Sequence, residues 1–99
     1  MSDFRLKVFL SVAKNLSFTK ASQELFVSQP AITKHIQELE TCYQVRLFDR
    51  QGNKISLTEA GKLLQEHSEK ILEDYKRLEY EMHLLHNLSL IHISEPTRL

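Results

Sequence analysis

Residues 17–43, SFTKASQELFVSQPAITKHIQELETCY, decide the fold. Ser17 is placed to cap a short helix over 18–25, in which Phe18, Ala21 and Leu25 share one face. Phe26-Val27 makes a brief connection, and Ser28 is a second N-cap. Pro30 falls in the first turn that follows, where a missing N–H does no harm. The next helix is therefore expected over 29–42, with Ile32, Ile36, Leu39 and Tyr43 as its buried stripe. Its opposite face carries Gln29, Thr33, Lys34 and Gln37, all side chains that hydrogen-bond. Two short helices joined by a few residues, the second amphipathic with a polar outer face, form a helix-turn-helix.

Upstream, Asp3 or Ser2 can cap a helix over 3–14 with Phe4, Val8, Phe9, Val12 and Ala13 on one side, and residues 15–17 break it. Downstream, Val45, Leu47 and Phe48 form an apolar cluster. Gln51-Gly52-Asn53 is a turn signal, and Lys54-Ile55-Ser56-Leu57 alternates polar with apolar. The spacing predicts a small hairpin, 47–49 with 54–57, tipped by Gly52; beside a helix-turn-helix such a hairpin is a wing.

Ser56 or Thr58 then caps a long helix over 59–88, Ser56 to Glu59 having the capping-box spacing. Leu64, Ile71, Leu78 and Leu85 lie seven apart, with Ser68, Tyr75 and Met82 at the intervening positions. This is an a/d seam flanked by charged residues. A helix of about 28 residues runs about 42 Å, beyond the body of a small domain. Leu64, Ile71, Tyr75, Leu78, Met82 and Leu85 are thus the expected dimer interface, with a second copy of the helix as the simplest partner. Residues 89–99, SLIHISEPTRL, leave the heptad, and Pro96 excludes a helix interior. They read as a tail, non-native or truncated, with no function attached.

The architecture is mainly α: three helices and a β-hairpin wing over 1–58, then a long dimerising linker helix over 59–88. Composition agrees. Two Gly and two Pro in 99 residues leave little for tight turns, which argues against a β-sandwich, a barrel or an α/β enzyme with glycine-rich ligand loops. Hydrophobic residues are 41% and charged residues 26%, ordinary for a globular domain. Net charge is zero, but residues 1–60 carry eight basic and six acidic side chains, whereas 61–99 carry five and seven. Any polyanion is therefore expected on the first part. A single cysteine, Cys42, excludes an intrachain disulfide. The N-terminus lacks the apolar core of a signal peptide and no run approaches a membrane span, so a cytoplasmic protein with no membrane partner is expected. His35, His67, His83, His86 and His92 are too scattered for a metal site. No nucleophile–base pair, paired carboxylates or phosphate loop has a catalytic context, so neither an enzyme nor a cofactor is expected.

Phe18-Thr19-Lys20-Ala21-Ser22, Leu25, Val27 through Ile36, Leu39-Glu40, Leu47-Phe48-Asp49-Arg50 and Leu57-Thr58-Glu59-Ala60-Gly61 resemble, in order and spacing, the DNA-binding segment of LysR-type transcriptional regulators. The resemblance spans residues 3–88. It implies a winged helix-turn-helix carried on a dimerising linker helix. In the family a larger effector-binding domain follows, with no counterpart in these 99 residues, so no small-molecule effector site is expected here. Lys34 stands where the family commonly has Arg, keeping the charge but losing the planar fork. Ser22 stands where it commonly has Ala.

With that resemblance the polar residues acquire roles. A recognition helix enters the major groove by its N-terminal part, where Ser28, Gln29, Pro30 and Ala31 lie. Gln29 can pair with adenine N6 and N7, and Thr33 can hydrogen-bond or touch a thymine methyl. Pro30 and Ala31 give apolar contact and close approach, Lys34 reaches guanine or a phosphate, and Gln37 lies further along the same face. Ser17 and Thr19 open a helix whose free N–H groups favour a phosphate, with Lys20 beside them. Arg50 resembles the family's phosphate-contacting arginine, against an ion pair with Asp49 or Glu40. Lys54 would meet the minor groove or a phosphate. Two readings follow. One is a sequence-specific, dimeric regulator of transcription on double-stranded DNA, reading an inverted repeat as a homodimer or as a higher oligomer. The other is a truncated dimerisation module that sequesters a full-length relative.

Overall fold

Three helices come first: α1 (Asp3–Asn15), α2 (Phe18–Leu25) and α3 (Gln29–Tyr43). A hairpin of β1 (Phe48–Gln51) and β2 (Lys54–Leu57) precedes a single long helix, α4 (Glu59–Ile93). The structure is a computed structural model that describes residues 3–93, with side chains described over residues 4–88.

Both short helices start as the serines require. The Ser17 hydroxyl accepts the Lys20 N–H at 3.0 Å, and the Ser28 hydroxyl accepts the Ala31 N–H at 3.3 Å. With both glycines elsewhere, the helices end on residues forced into the left-handed region. Phe26 (φ 57°) and Gln44 (φ 54°) each terminate a helix by donating their N–H to a carbonyl four residues back.

Val8, Phe9, Val12 and Ala13 of α1 meet Ala21 of α2, Ile32, Ile36 and Leu39 of α3, and Leu47 and Phe48 at the entry to the wing. The Phe48 ring joins the two halves, 5.5 Å from Phe9 and 6.0 Å from Phe18 between centroids. Burying side chains of this size contributes roughly 1.5–3 kcal/mol each. At the edge, Phe4 is partly exposed and meets His35 edge-on. Tyr43, expected in the buried stripe, is also exposed. The helix ends at Tyr43 with Gln44 as its cap, and Tyr43 lines an open groove with Val45, Leu63 and His67 instead of entering the core.

The wing differs from expectation by a residue or two. Its strands pair Phe48 with Leu57 through Gln51 with Lys54, so the first strand is 48–51 rather than 47–49. Leu47 is buried in the core and precedes the ladder. The two-residue turn has Gly52 at φ 61°, its first central position, where favoured hairpin turns demand positive φ. Ser56 lies within the strand opposite Asp49, and Thr58 alone caps α4, accepting the Gly61 N–H at 3.0 Å.

α4 leaves the body along α1 and spans 35 residues, which gives the molecule a longest dimension of 69 Å. It runs past the expected end at residue 88, through Ile93, because no Gly or Pro interrupts it before Pro96. The expected tail thus begins no earlier than residue 94, and 94–99 lie outside the described residues. None of the described helices is long and apolar enough to cross a membrane.

Candidate nucleic-acid interface

The α3 face away from the core presents Gln29, Pro30, Lys34 and Gln37 to solvent, with Ala31 and Thr33 half-buried at its edge. Gln29, Pro30, Thr33, Lys34 and Gln37 line one shallow surface depression. These are residues to which the family resemblance gave a DNA-contacting role, and the fold brings them together. None is recruited to the core, whose α3 contribution comes from Ile32, Ile36 and Leu39 on the other side.

Capping leaves the serine hydroxyls useful. Ser17 and Ser28 each accept a backbone N–H through oxygen, so the O–H proton remains free to donate to an anion. Thr19 and Lys20 are exposed in the first turn of α2. Lys54 is exposed in the last strand pair before the wing turn.

Arg50 adopts neither ion pair weighed for it. Its guanidinium sits over the Phe18 ring, 5.3 Å from the centroid. The Glu40 carboxylate instead accepts the Leu47 N–H at 2.8 Å, bridging the end of α3 to the start of the wing. A cation on an aromatic face is held in a narrow range of positions while its N–H groups stay outward. Arg50 is thereby pre-set beside the first turn of α2, with Ser17 and Thr19 close in sequence to its platform.

Three features escaped the sequence reading. Arg46 lines a cleft with Arg50, Thr33 and Gln37 between α3 and the wing. Its signal was present: residues 46, 48 and 50 share one side of an extended chain. Gly61 is needed for close packing, since a Cβ there would lie 2.3 Å from the Leu47 carbonyl oxygen. The third is Ser11, buried in α1, whose hydroxyl donates to Glu24 at 2.7 Å while Lys14 lies 3.1 Å from the same carboxylate. The hydrogen bond from Ser11, with Lys14 next to it, holds the Glu24 carboxyl below the usual carboxylate range.

The expected dimer seam divides. Leu64 packs against the domain core and Ser68 is fully buried, so these first positions belong to the body. Leu64 therefore leaves the open seam. From Ile71 onward the stripe is open: Ile71, Tyr75, Leu78, Met82 and Leu85 are all exposed, from 41% at Ile71 to 60% at Leu85. No element among the described residues covers them.

The family model for bacterial regulatory helix-turn-helix proteins of the lysR family matches residues 4–62. The chain belongs to the lysR family. Among curated relatives, it is 46% identical over 68 residues to a protein described as a probable RuBisCO transcriptional regulator of Trieres chinensis, covering 69% of this chain and 22% of that one. It is 38% identical over 82 residues to the HTH-type transcriptional regulator CitR of Bacillus subtilis (strain 168), covering 82% of this chain and 28% of the relative. The chain thus spans between a fifth and a third of the length of these two relatives. Among solved structures, that of a CbnR_DBD–DNA complex superposes with a TM-score of 0.81 at 35% identity, covering 86% of this chain and 98% of the other. A BenM_DBD complex with catB site 1 DNA gives 0.81 at 26% identity, covering 86% and 94%.

Proposed function

We propose that this lysR-family chain is a sequence-specific, DNA-binding regulator of transcription that reads an inverted-repeat operator as a homodimer. One observation carries the reading: the exposed row Gln29, Pro30, Thr33, Lys34 and Gln37 on a helix whose other face is locked into the core. Any surface helix shows a polar side to water; here that side lies beside a wing and carries side chains able to pair with base edges. Gln29, Thr33 and Lys34 supply sequence, whereas Ser17, Thr19, Lys20, Ser28, Arg50 and Lys54 supply register and salt-sensitive affinity. Pro30 and Ala31 keep the approach close, and Gln37 extends the contact along the groove. The CbnR_DBD and BenM_DBD complexes with DNA, which share the fold, support DNA as the partner.

Dimerisation falls to α4. Ile71, Tyr75, Leu78, Met82 and Leu85 at heptad spacing leave an apolar stripe in water. A second α4 would cover it with matching spacing. Two recognition helices related by a two-fold axis then meet half-sites about one helical turn or more apart. The same stripe would serve a mixed dimer with a longer relative, so the sequestering module remains the competing reading.

Selection from a random duplex library at moderate salt separates the two. Enrichment of an inverted repeat supports the dimeric reader and gives half-site and spacing. Retention of duplex without a motif sinks sequence reading and favours the sequestering module.

A further inference from the structure

Arg46 and Arg50 open on one cleft of about 170 Å³ between α3 and the wing. Its polar wall is Thr33 and Gln37, and its floor is formed by the Phe18 and Phe48 rings. Neither arginine pairs with a carboxylate among the described residues. Arg50 rests on Phe18, 5.3 Å from the ring centroid, and Arg46 makes one long bond, Nη2 donating to the Phe48 carbonyl at 3.5 Å. Among the described residues Glu40 is the one acid lining the cleft, and its Oε2 accepts the Leu47 N–H at 2.8 Å. Two cations against one engaged carboxylate leave the cleft with an unmatched positive charge. Its neutral wall adds donors from a hydroxyl and an amide.

We infer that this cleft grips one phosphodiester of the duplex backbone between Arg46 and Arg50, with Gln37 as a neutral donor beside them. The inference rests on the DNA-binding reading above and adds a contact to it. Arginine suits the task because its planar fork matches phosphate oxygens two at a time. The cleft is smaller than the roughly 300–1,000 Å³ typical of sites for drug-sized ligands, and it lies next to the base-reading row, sharing Thr33 and Gln37 with it. Gln37 then acts at the backbone edge more than at a base.

The test compares the intact chain with Arg46→Gln and Arg46→Lys by fluorescence anisotropy, on the duplex selected above and on a scrambled one, from 50 to 200 mM salt. Arg46 is exposed and its substitution opens no core, which thermal melts of each variant check. Losing one phosphate contact lowers the slope of log affinity against log salt by about 0.9, so the deficit of R46Q should shrink about 3.5-fold across that range. R46K should keep most of the slope, and both variants should keep the wild-type site preference. One methylphosphonate linkage per half-site should weaken the wild type while weakening R46Q no further.

A wild-type slope in R46Q, a deficit confined to one sequence, or additive losses at every neutralised linkage overturns the inference while leaving DNA binding intact. Better competition by inorganic phosphate than by chloride at equal ionic strength assigns the cleft to a free anion and overturns it as well. Failure of the wild type to bind any duplex removes the DNA-binding reading itself, and this contact with it.

Discussion

Gly61→Ala should be severe although it adds one methyl group. The new Cβ would lie 2.3 Å from the Leu47 carbonyl oxygen, 2.8 Å from a Leu57 methyl carbon and 3.3 Å from the Leu47 carbonyl carbon. Real Cβ atoms do not approach backbone oxygen so closely, so something must move. The Leu57 side chain can swing, but the Leu47 carbonyl cannot readily retreat. That oxygen accepts the Thr58 N–H at 3.1 Å, the Leu47 N–H is bound to Glu40 at 2.8 Å, and the Leu47 side chain is 1% exposed. Overpacking of this kind costs about 1–3 kcal/mol, and the helix-propensity gain of Gly to Ala returns at most about 1 kcal/mol. The upper part of that range applies because the clash is with fixed backbone. A net loss of about 1–2 kcal/mol lowers the midpoint of a domain of this size by roughly 4–16 °C. Thermal melts at one fixed chain concentration measure it, since the proposed dimerisation would make the midpoint concentration-dependent. A midpoint equal to or above that of the wild type would refute the claim that α4 docks on Leu47 through this glycine.

The other predictions are shorter. Lys34→Ala should weaken binding to the selected operator by about 1–3 kcal/mol and relax preference at one position if Lys34 reads a base; unchanged selectivity in a repeated duplex selection rules out base readout there. Ile71→Asp with Leu78→Asp should give monomers by light scattering, because both positions lie on the open stripe of α4; a persistent dimer contradicts the seam. Gln44→Gly should stabilise by about 1 kcal/mol, since Gln44 holds φ 54° and glycine adopts that region without steric cost; an unchanged denaturation midpoint counts against strain at this cap. Glu24 has a folded-state pKa below its unfolded one, so its stabilisation is present in full above the ordinary carboxylate range and lost as pH falls through the lowered value. Glu24→Gln should therefore flatten that acid limb, and an identical pH profile argues against the Ser11 and Lys14 contacts.

What was legible in the sequence was whatever a local rule controls. Serine caps and Pro30 placed α2 and α3 to within a residue, and hydrophobic spacing named Ile32, Ile36 and Leu39 as core. The exposed polar row of α3 followed by subtraction, because a helix with one buried side must show the other; its proposed role at bases came from the family resemblance and not from the pattern. Tyr43 fits the apolar spacing yet sits at the last position of α3, lining an open groove beside α4 and staying exposed, which periodicity cannot sense. Leu64 and Ile71 look alike in a heptad, but Leu64 packs against the core whereas Ile71 lies at the edge of the body and stays exposed. Arg46, Gly61 and the Ser11–Glu24 contact depend on residues 13 or more positions away or on the approach of separate elements, and no window along the chain contains them.

Leu47 is where the pieces meet. Its N–H is bound to Glu40 of the recognition helix, its carbonyl accepts from Thr58 at the start of α4, and its side chain fills the core. The Thr58 hydroxyl adds a bond to the Arg46 carbonyl one residue earlier. Recognition helix, wing and linker helix are thus joined through one short stretch of fixed backbone rather than through a flexible loop. Under the proposed pairing of two α4 helices, a joint of this kind would make their crossing angle a determinant of where the two recognition helices sit. Half-site spacing would then be set at the α4 interface and half-site sequence at α3. Substitutions on the open stripe that preserve dimers but change their geometry should shift preferred spacing and leave the half-site motif untouched.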